Sequence, residues 1–227
     1  MKVLGIDTAM WTGSVAIIYD DHLCGMVGIN AAASHAERLM SCIDFLFKNL
    51  GMQENELDGL AVSAGPGSFT GLRIGIGTVK GFSLALKKPA VGISTLKAMA
   101  RSVPAGMLLC PLIDAGRGEV YGCCYRREGE KLLEVCGETL DDPLRFLGKI
   151  DAHEVCVFGT GAEKFRHEIE RTYSDRVRIV EFNHFLAPSV AMLGSDLIRE
   201  GNIGSLKPNY IRKPDAELQT ERRTRKS

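Results

Sequence analysis

Two aspartates close apolar runs at places where a carboxylate can work on a phosphate. Asp7 ends the run Val3–Asp7, is followed by Thr8 and Ala9, and precedes Ser14 at the start of the next run. Asp114 ends a run from Met107 and is followed by Ala115 and Gly116. A carboxylate on a loop between paired strands can hold a phosphate through a magnesium ion, and hydroxyls beside it add hydrogen bonds. The same side chains also cap turns without any ligand, and residue type alone leaves both uses open. A glycine turn, Gly159-Thr160-Gly161-Ala162, leads from a further apolar run into a helical pattern. The polar and glycine residues of these loops are Asp7, Thr8, Ser14, Asp114, Gly116, Gly159 and Gly161.

Other chemistries lack residues to carry them. The five histidines (His22, His35, His153, His167 and His184) include no pair four apart, no His-Glu-x-x-His occurs, and no nucleophile stands with an identifiable base. Seven cysteines form no Cys-x-x-Cys, and Cys110, Cys123 and Cys156 sit inside apolar runs, which fits reduced core thiols rather than disulfides or zinc. No catalytic metal site is expected.

The elements that must position these residues are legible. Gly65–Leu86, GPGSFTGLRIGIGTVKGFSLAL, reads as a glycine turn after a strand, then a helix capped by Ser68 or Thr70. Gly71 and Gly75 fall on one face of that helix, and Gly77 and Gly81 on another. Four glycines in place of alanines forgo roughly 4 kcal/mol of helix propensity, so tertiary contacts must hold the helix. The bare faces suit close packing on a sheet or a partner helix, or an anion at the helix N-terminus. The stretch is not a P-loop, since no Lys-Ser or Lys-Thr follows its turn, and its glycines do not keep the dinucleotide-binding spacing.

Val3–Asp7, Ser14–Tyr19 and Leu23–Ile29 read as strands. Ser34 and Glu37 form a capping box before a helix with Leu39, Ile43, Leu46, Phe47 and Leu50 on its apolar face and Gly51 as its stop. Met40, Cys42 and Phe45 widen that face beyond what one sheet requires, which suggests a second buried surface. Ala90–Ile93 is a strand, Thr95–Ser102 a short helix, and Pro104-Ala105-Gly106 the boundary between halves. The second half begins as the first does: a strand ending at Asp114, a partner Glu119–Tyr125 and a third strand after Glu128-Gly129-Glu130. A helix follows over Asp141–Gly148 with Asp142 as cap, then a strand Val155–Phe158, a helix Glu163–Tyr173, a strand Val177–Phe182 and a last helix Ser189–Glu200. Duplication of one α/β unit explains the repeat. The expected organisation is a first half over 1–103, a smaller second half over 104–210, and a flexible basic tail over 211–227.

Across 227 residues, 28 basic side chains balance 28 acidic ones, with 45% hydrophobic and 25% charged residues. A chain that holds a long nucleic acid unaided carries a basic excess, so any RNA contact is expected to be shared with a partner. No apolar run approaches a membrane span and no cleavable leader precedes the first strand, so a cytoplasmic protein is expected.

The Asp7 unit, its repeat at Asp114 and the glycine turn at Gly159 resemble the two-lobed nucleotide-binding fold of the actin, sugar-kinase and Hsp70 (ASKHA) superfamily, an α/β architecture of duplicated halves. The resemblance implies a phosphate-binding set of Asp7, Thr8, Ser14, Asp114, Gly116, Gly159 and Gly161. Closer similarity, to the bacterial TsaB (YeaZ) family, rests on IDTA at Ile6–Ala9, SHAE at Ser34–Glu37, AGPGSFTGLRIGIGTVKGF at Ala64–Phe82, DAGRGEVY at Asp114–Tyr121 and PNYIRKPDAE at Pro208–Glu217. That resemblance covers nearly the whole chain. It implies a non-catalytic partner of the paralogous ligase TsaD, acting with the ATPase TsaE to form threonylcarbamoyladenosine in tRNAs that read codons beginning with A. tRNA would be met only through the complex, a homodimer would form when the chain is alone, and ATP or ADP with magnesium would bind weakly or be shared. The paralog carries two metal-binding histidines four apart after its glycine helix and strand. Thr95 and Met99 stand there in this chain, and neither can replace an imidazole. The resemblance and the two helices together place a partner interface at Leu39, Ile43, Phe47, Gly71, Arg73, Gly75, Thr78, Gly81 and Phe82. The competing expectation is an enzyme of the same superfamily, either an ATP-dependent kinase or a glycoprotease-like peptidase.

Overall fold

The computed structural model describes residues 1–30, 35–103, 108–129, 131–204 and 206–212. Strands β1 (Lys2–Asp7), β2 (Gly13–Tyr19) and β3 (His22–Ile29) are followed by α1 (His35–Leu50), β4 (Gly59–Gly65), α2 (Phe69–Leu86), β5 (Ala90–Ser94) and α3 (Thr95–Ser102). The second unit runs β6 (Leu108–Gly116), β7 (Glu119–Glu128), β8 (Lys131–Asp141), α4 (Pro143–Gly148), β9 (Val155–Phe158), α5 (Thr160–Lys164), α6 (Arg166–Tyr173), β10 (Val177–Ile179) and α7 (Ala187–Arg199). Each unit forms a five-stranded sheet, in the order β3-β2-β1-β4-β5 and, read the same way, β8-β7-β6-β9-β10. In both, the first strand pairs antiparallel with the second and parallel with the fourth. The duplicated two-lobed α/β architecture expected from the repeat is therefore present strand for strand.

The layers follow from which faces are apolar. Helices α1 and α2 cover the outer face of the first sheet, where Leu39, Ile43, Leu46 and Phe47 meet Leu4, Ile6, Val15 and Val62. Helices α4, α5 and α6 cover the outer face of the second, over Leu112, Val120 and Val157. Between the sheets lie α3 and α7, packed into one continuous core with Val3, Ala61, Ile113, Tyr125 and Phe158. Among the described residues no helix is long and apolar enough to cross a membrane.

The last helix, whose packing on either half the sequence leaves open, lies on β1, β2, β4 and β5 of the first sheet. Gly5 and Gly194 permit this: a Cβ on Gly5 would meet the Ala191 nitrogen and Cβ at 2.8 Å, and one on Gly194 would collide with Ala61. The expected helix Glu163–Tyr173 begins at Thr160 and is broken at Phe165, whose φ of −103° and ψ of 19° leave the helical range. Strand β10 stops at Ile179, because Phe182 turns into the core beside Phe158, ring centroids 5.8 Å apart. Arg212, within the stretch expected to be a flexible tail, donates to the Ala115 carbonyl of the second lobe at 2.6 Å. Ser34, the Pro104-Ala105-Gly106 boundary and residues 213–227 lie outside the described residues.

Candidate functional site

The Asp7 loop is turned inward. Asp7, Thr8 and Ser14 are all buried. The Asp7 Oδ1 accepts from the Ala9 amide at 3.1 Å, the Thr8 hydroxyl donates to the Gly71 carbonyl at 2.8 Å, and the Ser14 hydroxyl accepts from the Ala187 amide at 3.1 Å. The glycine turn closes over this loop, with the Ser68 amide donating to the Ala9 carbonyl at 2.7 Å. Ser68 is also the helix cap, its hydroxyl accepting from the Gly71 amide at 3.2 Å. Gly71 and Gly75 give this contact its room, because a Cβ on either would collide with Thr8.

The Asp114 loop repeats the turn but stays partly open. Its Oδ1 accepts from the Gly116 amide at 3.0 Å, matching the Asp7 turn, and its Oδ2 is paired with the Lys164 ammonium at 2.8 Å. Gly159 and Gly161 serve packing, since a Cβ on Gly159 would meet the Leu112 carbonyl oxygen at 2.6 Å and one on Gly161 would meet Val120 at 2.8 Å. A cavity of about 230 Å³ is lined by Met10, Trp11, Thr12, Asn30, Thr160, Glu163 and His184, and so includes none of the seven phosphate candidates.

An accessible groove lies on the outer helices among the described residues. Met40 of α1 and Gly77, Thr78, Gly81, Phe82 and Ala85 of α2 line about 360 Å³ of open, mostly apolar space. Leu84, 81% exposed, lies one turn beyond Gly81 on the same helix, and Phe45 of α1 is 58% exposed. A Cβ on Gly77 or Gly81 would meet nothing within 4 Å, so no contact inside the protomer requires glycine there. Of the expected interface set, Thr78, Gly81 and Phe82 line the groove. Arg73 is exposed, with its Nε donating to the Tyr210 hydroxyl at 3.0 Å. Leu39, Ile43, Phe47, Gly71 and Gly75, expected in the same set, are instead buried in the protomer's own packing. The helical period read from the sequence mixed the inward face with the outward one; Met40 and Gly77, surplus apolar and bare positions outside the expected interface set, also line the groove, and Ala85 is the lining residue it missed.

A segment at 206–212 ties the lobes together. The Asn209 amide donates to the Ala64 carbonyl of the first sheet at 2.6 Å, while its side-chain nitrogen donates to Glu138 of β8 at 2.8 Å. Tyr210 packs on Phe69 with ring centroids 4.9 Å apart. Glu138 also accepts from the Ser94 hydroxyl of the first lobe. Burial pushes the Glu138 carboxyl above its ordinary value. The fold therefore holds this proton more tightly than the unfolded chain does, and that stabilisation is complete below the ordinary glutamate value and lost as pH rises through the folded one. Glu138→Gln is expected to flatten the decline in stability that sets in above the ordinary glutamate value, measured as urea midpoints over a pH series. An unchanged slope would put the titrating group elsewhere. Sequence reasoning caught this segment only as the motif PNYIRKPDAE, because local pattern carries no signal for bonds between residues 71 apart.

Comparison with known proteins follows the same lines. A family model described as TsaD, tRNA N6-adenosine threonylcarbamoyltransferase, matches residues 16–218. The protein named tRNA threonylcarbamoyladenosine biosynthesis protein TsaB in Bacillus subtilis is 28% identical over 223 residues, 96% of each chain. Its namesake in Haemophilus influenzae is 30% identical over 172 residues, 71% of this chain and 72% of the other. The Escherichia coli namesake is 34% identical over 131 residues, and the match spans 56% of that protein. The solved structure of YeaZ from Pseudomonas aeruginosa is 26% identical, with a TM-score of 0.76 over 92% of this chain and 99% of that one. The ROK hexokinase of Thermus thermophilus, at 12% identity and a TM-score of 0.51, shares the fold alone.

Proposed function

Because this chain belongs to the TsaB (YeaZ) family of tRNA threonylcarbamoyladenosine biosynthesis proteins, we propose that it is the non-catalytic partner in that modification, pairing with the paralogous transferase TsaD through the groove between α1 and α2. The groove carries the proposal: it is apolar, open, and built around two glycines that the protomer does not need for its own packing. Bare helix faces let a second pair of helices approach closely, and the exposed Met40, Phe45 and Leu84 supply apolar area to bury. A second copy of the chain occupies the groove when the transferase is absent.

Assignment of the chemistry to the partner is supported by the Asp7 loop. Its Asp7 Oδ1, Thr8 hydroxyl and Ser14 hydroxyl are buried and hydrogen-bonded within the protomer, which favours a structural use of the loop. Nucleotide is then held by the assembly with TsaD and TsaE rather than by this chain alone, and tRNA is met only through that assembly. The positions where the paralog carries histidines are here the buried Thr95 and Met99.

The test is synthesis of threonylcarbamoyladenosine in a mixture of TsaD, TsaE, threonylcarbamoyl-adenylate and tRNA, with and without this protein. Product is expected only on its addition, with no ATP hydrolysis or peptide cleavage by the protein alone. Synthesis that ignores it, or turnover by this chain unaided, would return the assignment to a kinase or peptidase of the superfamily.

A further inference from the structure

Five of the seven cysteines lie in the second sheet, and three of them stand in a row across neighbouring strands. Cys124 of β7 is the register partner of Cys136 of β8. On its other side Cys124 faces Cys110 of β6, between the register pairs Leu109–Tyr125 and Leu112–Gly122. All three side chains point to the face covered by α4, α5 and α6. The Cys110 and Cys124 sulfurs are 2.7 Å apart, about 0.7 Å beyond a disulfide bond length of about 2.0 Å. Both are buried, whereas Cys136, on the edge strand, is half-buried. Among the described residues no group of three or more His, Cys, Asp or Glu is arranged to hold a metal ion.

We propose that Cys110 and Cys124 form a reversible dithiol–disulfide couple that is oxidised through Cys136 by a low-molecular-weight disulfide. Cys136 loses its proton and attacks one sulfur of the small disulfide; that S–S bond breaks and the departing thiolate takes up a proton. Cys124 then attacks the Cys136 sulfur and expels the second small thiol, again with transfer of one proton. Cys110 attacks the Cys124 sulfur in turn, and Cys136 returns to the thiol. Two cysteines are oxidised, one small disulfide is reduced to two thiols, and two electrons and two protons have moved. Every internal step passes between sulfurs on adjacent strands already in register, so no strand shifts. Hydrogen bonding to Cys110 raises the Cys124 thiol, and hydrogen bonding to Cys124 raises Cys136. Thiols so held react slowly with dilute reagents, and transfer along the row depends on contact.

The experiment uses the full chain carrying Cys24→Ser, which removes the exposed thiol. The folded protein is incubated with oxidised glutathione, denatured, alkylated and mapped by mass spectrometry. Two of the six remaining thiols are expected to be lost to a Cys110–Cys124 linkage, with fragmentation placing the bond on Cys124 rather than its neighbour Cys123, and dithiothreitol is expected to restore both. Addition of Cys136→Ala, a half-buried position, should slow linkage at least about tenfold, since the solvent-side entry is gone. Six alkylated thiols after oxidation, a linkage through Cys123, or an undiminished rate without Cys136 would overturn the proposal.

Discussion

Gly71→Ala is expected to lower the stability of the protein by about 3 kcal/mol, near the upper end of what overpacking a closed site costs. The added methyl would strike the Thr8 carbonyl oxygen, a backbone atom that cannot rotate aside. Relief requires α2 to move off the first sheet or the Asp7 loop to open, and either breaks the Thr8–Gly71 hydrogen bond. Alanine is worth about 1 kcal/mol more than glycine in a helix interior, which the collision outweighs. Gly77→Ala supplies the control, since its methyl meets nothing and only the propensity gain remains. Urea unfolding of the two variants should therefore move the midpoint in opposite directions. Equal shifts would mean that the glycine-rich helix is tuned for propensity and not for the loop beneath it.

Gly81→Trp is expected to leave the urea midpoint at or above that of the native protein and to weaken pairing with the transferase at least about 100-fold, close to 2.7 kcal/mol. The space above Gly81 is solvent, so the folded protomer admits the indole. Any partner helix seated between Met40 and Ala85 must then be displaced by the width of the ring. Threonylcarbamoyladenosine synthesis should fall with pairing and recover in part at high protein concentration. Native affinity in this variant would place the partner on another face. Loss of folding is separated from loss of pairing by the midpoint itself, which makes Gly81 a better probe than the buried Gly75.

Much of this was legible because the governing signals are local. Strand ends at Asp7 and Phe158, the cap at Ser68, and Asp142 with Pro143 at the start of α4 are set by residue types within a few positions. The duplication was legible for the same reason, since the same turn chemistry follows Asp7 and Asp114. What escaped depends on which neighbour arrives. Thr8 and Ser14 have the composition of a phosphate loop, and only the arrival of α2 and α7 decides that their hydroxyls are spent within the protomer. Periodicity finds the apolar stripe of α1 but does not tell Leu39, under the sheet, from Met40, at the groove. Ser94, Glu138 and Asn209 come from three distant segments, and their meeting is a property of the closed fold.

The placement of α7 bears on how the chain is made. β1 leaves the ribosome long before α7, and until α7 arrives the inner face of the first sheet, with Val3, Ala61 and Val91, has lost only part of its water. The first half therefore cannot complete itself while the second is still being translated, and the nascent chain carries an apolar face through most of its synthesis. An arrested product ending after α3 should be recognised by chaperones as incomplete, whereas one ending just beyond α7 should not.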